Sequence, residues 1–191
     1  MYARKVLDLQ EIAPEVPRPL RRAEYDQLAV SGAFDDERVE LLHGVIVRMS
    51  PHGPAHDAVI DRLNEMLVRA VGLRGKVRVQ SSFNAVGDSE PEPDLAIVPR
   101  AEYDDAHPDR AFLIVEVAGS SLRKDRGFKA RLYAESGVHE YWVVNLVDRV
   151  IEVSSDPAQG VYRSSRIFGK GEHVALSGFA DIEVRVDDVL R

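Results

Sequence analysis

Two short apolar runs in the middle of the chain each carry one acidic residue near an end. In residues 93–98, Asp94 precedes four apolar residues, and in residues 112–117, Glu116 is the next-to-last residue. Continuous apolar runs of this length, bounded by polar loops, predict buried strands. A carboxylate in such a run needs a metal ion, a cation or several hydrogen-bond donors, because an isolated buried charge is costly.

The remaining pattern predicts helices and strands along most of the chain. Apolar residues at helical spacing predict helices over residues 21–30, 55–71 and 122–136. Other apolar runs predict a hairpin that turns at His43 and Gly44, and further strands over residues 76–83, 140–144, 149–154, 161–168 and 173–176. We expect residues 1–19 to form an irregular arm and residues 20–191 to form one domain. This order predicts an α/β fold with a mixed central sheet flanked by helices and extra antiparallel β-hairpins.

Composition narrows the class of protein. The chain has 191 residues and no cysteine, which excludes disulfides and thiol catalysis and favours a cytoplasmic location. No apolar run approaches the roughly 20 residues that span a bilayer, so no membrane association is expected. The net charge of −7 argues against broad, metal-free DNA binding, although acidic metal ligands contribute to that charge.

A local cluster of cations interrupts this acidic composition. Between residues 123 and 131 a single acid, Asp125, accompanies Arg123, Lys124, Arg126, Lys129 and Arg131. Such a patch is suited to phosphate contacts, and we predict that its first three cations bind nucleic acid.

Each acid also has a structural explanation when it is taken alone. Asp94 follows a proline, a combination that is common in turns. Glu116 has an alternative role in a partly buried ion pair with Arg123 or Lys129. Together, however, the proline-aspartate pair before one strand and the glutamate near the end of the next resemble the core of PD-(D/E)XK nucleases. That resemblance implies neighbouring strands whose acids converge on one or two magnesium ions.

Longer strings narrow the resemblance to one family. Residues 40–46, 49–51, 92–94 and 133–144 are spaced as in the Uma-type family of restriction endonucleases, and His56 also matches. The most specific string is residues 137–144, and the similarity extends from about residue 20 to the end. Family membership implies a restriction-endonuclease-like fold and hydrolysis of phosphodiester bonds.

The chain departs from the general nuclease motif at one position. The motif places lysine two residues after the second acid, where this chain has Ala118. In the Uma-type family the lysine is found on the following helix, so the resemblance nominates Lys129. Its role would be to hold or activate the attacking water, or to stabilise charge on the phosphate. Gly119 and Asn145 also stand where many relatives have other residues.

Three further residues are candidates for the site. Glu40 matches an acidic family position and is predicted as a third carboxylate, with an outward-facing hairpin residue as the alternative. Gln80 is a secondary candidate for orienting water or phosphate, and His56, at the start of the predicted helix 55–71, is another secondary candidate. His52 lies four residues before His56, but the intervening glycine and proline argue against a preformed helical pair, so we do not expect a zinc site.

These observations predict a magnesium- or manganese-dependent endonuclease that acts on DNA. Asp94, Glu116 and Glu40 are the expected metal ligands, and Lys129 acts with them in catalysis. Two alternatives stay open: a non-catalytic protein that keeps the nuclease scaffold, and a hydrolase of a smaller phosphoester. We also expect a homodimer, because strand-rich residues 149–176 offer sheet edges that need covering.

Overall fold

The computed structural model describes Gln10 and residues 13–191. The predicted arm, residues 1–19, therefore lies partly outside the described residues. In the part of the chain that is described, no helix has the length and apolar character needed to cross a bilayer.

A six-stranded mixed sheet is the centre of the fold, in the order β3-β4-β5-β6-β7-β8. Only β5 and β6 run parallel, and the other neighbours are antiparallel. The strands of this sheet are β3 (Lys76–Val79), β4 (Leu95–Val98), β5 (Leu113–Ala118), β6 (Glu140–Asn145), β7 (Val150–Ala158) and β8 (Val161–Phe168). The predicted α/β architecture with a mixed central sheet is confirmed.

Two antiparallel hairpins and several helices surround this sheet. The hairpins pair β1 (Val39–Leu42) with β2 (Val45–Arg48), and β9 (His173–Leu176) with β10 (Phe179–Arg185). The helices are α1 (Arg22–Val30), α2 (Pro54–Val71), α3 (Leu122–Lys124), α4 (Ala130–Glu135) and α5 (Val186–Val189). A π-helical segment, Asp125–Lys129, joins α3 to α4.

The central strands are buried on both faces, which explains their nearly continuous apolar sequences. Alternate residues of β5 face different cores: Val115 packs in the core that contains Leu63 of α2, and Ile114 packs in the core that contains Leu132 of α4. Glu116 therefore points towards the α3–α4 side of the sheet, because side chains alternate along a strand.

Several element boundaries differ from the predictions. The strand predicted over residues 76–83 ends at Val79, because Gln80 turns the backbone into the left-handed region with φ 44°. The helix predicted over residues 122–136 is interrupted by the π-helical segment. Strand β7 extends to Ala158, and β10 and α5 were not predicted.

Candidate active site

Asp94 and Glu116 lie opposite each other on neighbouring strands. In the antiparallel pair β4–β5, Leu95 is opposite Val115, and one further step brings Asp94 opposite Glu116. Residues that are directly opposite point to the same face of the sheet. Both side chains line a cavity of about 470 Å³, as the resemblance to the nuclease core implied.

Asp94 is held in place by the backbone of β5. The N–H group of Val117 donates to Asp94 Oδ2 over 2.7 Å. Strand β4 begins only at Leu95, so the Val117 N–H group has no backbone partner on β4 at this point. The Asp94 carboxylate accepts its hydrogen bond instead. This contact fixes the side chain at the cavity wall.

Lys129 is buried between two glutamates. Its Nζ lies 2.8 Å from Glu116 Oε1 and 3.0 Å from Glu40 Oε2, and the lysine is only 2% exposed. Lys124 donates to the other oxygen of Glu40 over 2.9 Å. Glu40 is fully buried, so the alternative of an outward-facing hairpin residue is wrong.

The π-helical segment positions Lys129 and also buries an acid that the sequence analysis missed. The Ala130 N–H group donates to the Asp125 carbonyl, which also accepts a hydrogen bond from Tyr141 Oη. Asp125 is 2% exposed and lies near Lys129. Its spacing of four residues from the nominated lysine was the signal that could have identified it. A π turn inside a helix is frequently found at functional sites.

Tyr133 adds a neutral donor to the same cluster. Its hydroxyl group donates to Glu116 Oε1 over 2.8 Å, from a side chain that is fully buried. Tyr133 belongs to the helix predicted over residues 122–136 and was not among the predicted site residues. Glu116 Oε1 thus accepts from both the tyrosine and Lys129.

The electrostatics of this cluster are dominated by burial. Burial raises the pKa of Glu116 to about 8 against the effect of Lys129, and the carboxylates of Asp94, Asp125 and Glu40 act in the same direction as burial. For Lys129, burial lowers the pKa, but Glu116 and Glu40 outweigh it and raise the pKa. Full ionisation of all these carboxylates would place more negative charge in the site than its two lysines neutralise, and the raised pKa of Glu116 reflects this.

That charge balance tests whether the residues fit a divalent cation. Three buried carboxylates line the cavity, those of Asp94, Glu116 and Asp125. A fourth, Glu40, does not line it and contacts the two lysines that do. Carboxylate oxygens are the ligands that Mg²⁺ prefers, and a cation would relieve their mutual repulsion. The donor set fits Mg²⁺ or Mn²⁺, with Asp94, Glu116 and Asp125 as the buried carboxylates that face the cavity.

Two histidines lie beside Asp94 at the beginning of α2. His56 Nε2 is 3.1 Å from Asp94 Oδ2, and the rings of His52 and His56 stack with centroids 3.9 Å apart. Gln80 Nε2 donates to His52 Nδ1 over 3.1 Å. As expected from the intervening glycine and proline, the two histidines do not form a helical pair, because α2 begins at Pro54 and His52 precedes it. Their rings stack all the same, on either side of the extended backbone of Gly53.

The charges of the histidines follow from their surroundings. Burial lowers the pKa of His56, but its hydrogen bond and attraction to Asp94 outweigh burial and raise the pKa. Burial and the neighbouring His56 lower the pKa of His52. Asp94 is buried, which raises its pKa, but the contact with His56 and the Val117 N–H group lower it overall.

The predicted nucleic-acid contacts separate into different environments. The Arg126 guanidinium donates to both oxygens of Glu152 and lies 3.6 Å from Asp148 Oδ2, so it is bound to acids. Arg123 and Arg131 are exposed and line a groove of about 670 Å³ together with Lys124 and Phe128. This groove adjoins the candidate active site, because Lys124, Ser120 and Ser121 line both cavities.

Comparisons with known proteins agree with this geometry. The model of the Uma2 family, described as "Putative restriction endonuclease", matches residues 22–187. The chain belongs to the Uma2 family. The family assignment agrees with the buried acids and lysine, and it extends over almost the whole described fold.

Two solved structures are similar to this Uma2 protein, of which the first supports its fold and the second, with a TM-score below 0.5, does not bear on it. One is a "putative nuclease belonging to DUF820" from Anabaena variabilis ATCC 29413, with a TM-score of 0.73 and 15% identity over 90% of this chain and 98% of that chain. Another is the type IIG restriction endonuclease BpuSI, with a TM-score of 0.40 and 21% identity over 71% of this chain and 15% of that chain. No curated protein matches the chain.

Proposed function

We propose that this Uma2 protein is a divalent-metal-dependent endonuclease that hydrolyses phosphodiester bonds in DNA. The observation that carries the proposal is Lys129, a buried cation held by Glu116 and Glu40 at the wall of a cavity that Asp94 also lines. Burying a lysine with several carboxylates is costly for stability alone, so the arrangement supports a chemical role.

Mg²⁺ or Mn²⁺ held by Asp94 and Glu116 would polarise the phosphate and lower the pKa of bound water. Glu40 keeps the Lys129 ammonium protonated and pointed at the cavity. From there the ammonium can donate to the attacking water or to a phosphate oxygen that gains charge. The Tyr133 hydroxyl fixes the rotamer of Glu116 by donating to one of its oxygens.

The adjoining groove supports a polyanionic substrate rather than a small phosphoester. Arg123 and Arg131 lie along its walls, and Phe128 adds an aromatic side chain. A DNA strand bound in this groove would pass Lys124, which lines both the groove and the cavity, and would bring its phosphates to the cavity. Contacts of this kind act on the nucleic-acid backbone and do not select a base sequence.

Cleavage of plasmid, linear and single-stranded DNA in Mg²⁺ or Mn²⁺ tests the proposal. We expect nicked and linear products from plasmid in either metal, none in chelator, and none with Asp94→Ala. Activity of that variant at the parent rate would exclude Asp94 from the reaction. Metal-independent DNA binding without cleavage would instead indicate a scaffold that is not catalytic.

A homodimer and a cytoplasmic location complete the proposal. Strand β8 is an edge of the central sheet, and Val161 and Ile167 on it are 53% and 65% exposed. An unpaired edge of this kind can be covered by a second copy, and two copies supply two sites for the two DNA strands. Light scattering is expected to give twice 21.3 kDa, and a monomer mass at all concentrations would contradict the dimer.

A further inference from the structure

We infer that His52, His56 and Asp94 form a binding site for a first-row transition-metal ion that favours imidazole ligands, beside the carboxylate–lysine centre. The three residues line the cavity that also contains Glu116 and Lys129. The role of this ion in catalysis rests on the proposed function, but the binding of the ion does not.

The donor atoms are already gathered. One ligand atom from each residue lies within 4.8 Å of the other two, and both histidines are mostly buried, with side chains 19% and 11% exposed. In a tetrahedral zinc site, two ligand atoms bound to the same ion lie about 3.4 Å apart. The widest pair therefore has to close by about 1.4 Å at most, which ring rotation and a small shift of the His52 loop can supply.

Neighbouring polar groups hold the two rings from behind. Asp57 Oδ1 lies 3.4 Å from His56 Nδ1, which leaves His56 Nε2 facing Asp94. Histidine ligands of metals commonly make this kind of contact from the second ring nitrogen to a carboxylate. Gln80 contacts His52 Nδ1, and half a turn of its amide would present the oxygen to an Nδ1 proton and free Nε2 for a metal.

The donor set selects the class of ion. Two imidazole nitrogens and one carboxylate suit Zn²⁺, Co²⁺ or Mn²⁺, whereas Mg²⁺ prefers oxygen ligands. Three protein ligands also leave a coordination position open, as in catalytic rather than structural zinc sites. That position would face the cavity, where water or a phosphate oxygen of the substrate can reach it.

Cobalt binding to chelator-treated full-length protein tests the inference without relying on activity. Co²⁺ is titrated and followed by visible absorption, with Zn²⁺ binding measured by calorimetry. We expect one ion in this site, with affinity reduced at least about tenfold by His52→Gln and by His56→Gln. His173→Gln, which changes an exposed histidine of β9, is the matched control and should leave the affinity unchanged. Circular dichroism without metal verifies that each variant is folded.

Two further measurements separate this inference from the proposed function. Glu116→Gln should abolish DNA cleavage while the cobalt spectrum stays that of the parent, and millimolar Mg²⁺ should not displace Co²⁺. A histidine-dependent spectrum in a protein that never cuts DNA would support the metal site and contradict the nuclease. Cobalt affinity that is unaffected by both histidine substitutions, or ready displacement by Mg²⁺, would overturn the site.

Discussion

Lys129 and Glu116 form an ion pair inside the protein, with Nζ and Oε1 2.8 Å apart and both side chains buried. The lysine comes from the π-helical segment and the glutamate from the central strand β5. Glu40, from the hairpin, contacts the same ammonium. One cation thus joins three parts of the fold, so its removal has consequences for stability as well as chemistry.

Lys129→Met is expected to lower the free energy of unfolding by about 3–5 kcal/mol, because it leaves two buried glutamates without their shared cation. DNA cleavage should be lost. The double variant K129M/E116Q removes one of the stranded charges and should recover part of the stability but no cleavage. Urea denaturation and plasmid cleavage measure the two effects. Equal stability of the single and double variants would show that the pair is not the source of the loss.

Asp94→Asn separates the chemistry of Asp94 from its structural contact. The amide oxygen can still accept from the Val117 N–H group, so the fold should change little, while cleavage should fall at least about 100-fold. Asp94→Ala leaves that buried donor unpaired and should cost about 1–3 kcal/mol in addition. Thermal unfolding and cleavage rates check this, with exposed Asp61→Asn as the control. Equal stability of the Asn and Ala variants would contradict the structural role.

Arg123→Ala and Arg131→Ala should each weaken DNA binding and flatten the dependence of log affinity on log salt by about one unit. Arg126→Ala is the matched control from the same cluster, because its guanidinium is already bound to Glu152 and Asp148. Fluorescence anisotropy at several salt concentrations, with Ca²⁺ in place of Mg²⁺, measures the slopes. If the salt dependence of binding became flatter only in the Arg126 variant, DNA would not bind along the groove.

Glu90 should make the stability depend on pH. Burial raises the pKa of Glu90 from 4.5 to about 7. A hydrogen bond from Ser82 lowers this pKa, and the nearby Asp26 raises it further. The folded protein therefore holds a proton that the unfolded chain releases, so the stability contributed below about pH 4.5 is lost as the pH rises through about 7.

The change in the free energy of unfolding caused by Glu90→Gln is therefore expected to be more favourable at pH 8 than at pH 4.5. After allowance for solvent screening the difference should be about 1–2 kcal/mol. Chemical denaturation at the two pH values measures it, and exposed Glu102→Gln provides the control. The same effect at both pH values would exclude Glu90 as the titrating group.

The sequence predicted the parts of this site that depend on simple periodicity. Asp94 and Glu116 stood out in advance because each is an acid in an apolar run, and the resemblance to the nuclease core implied that their strands are neighbours. The π-helical segment could not be predicted, since one extra residue in a turn hardly changes the apolar spacing over so short a helix. It is this segment that buries Asp125 and places Lys129.

Other differences arose from contacts between distant parts of the chain. The nucleic-acid role of Arg126 stays a prediction from its basic neighbours, and the local sequence did not show that its guanidinium pairs with acids of the β6–β7 region. Strand β10 was missed because a bulge between Phe179 and Glu183 interrupts its apolar alternation. In both cases the deciding interaction lies outside the local sequence window.

The hydrogen bond from Val117 to Asp94 changes how related sequences should be interpreted. Because this aspartate also replaces a backbone acceptor at the end of the sheet, selection for folding can preserve it after catalysis has been lost. Lys129 has no such backbone contact among the described residues, and its burial is favourable only while Glu116 and Glu40 are present. Joint retention of the lysine and both glutamates is therefore a better evolutionary marker of an active enzyme than the aspartate.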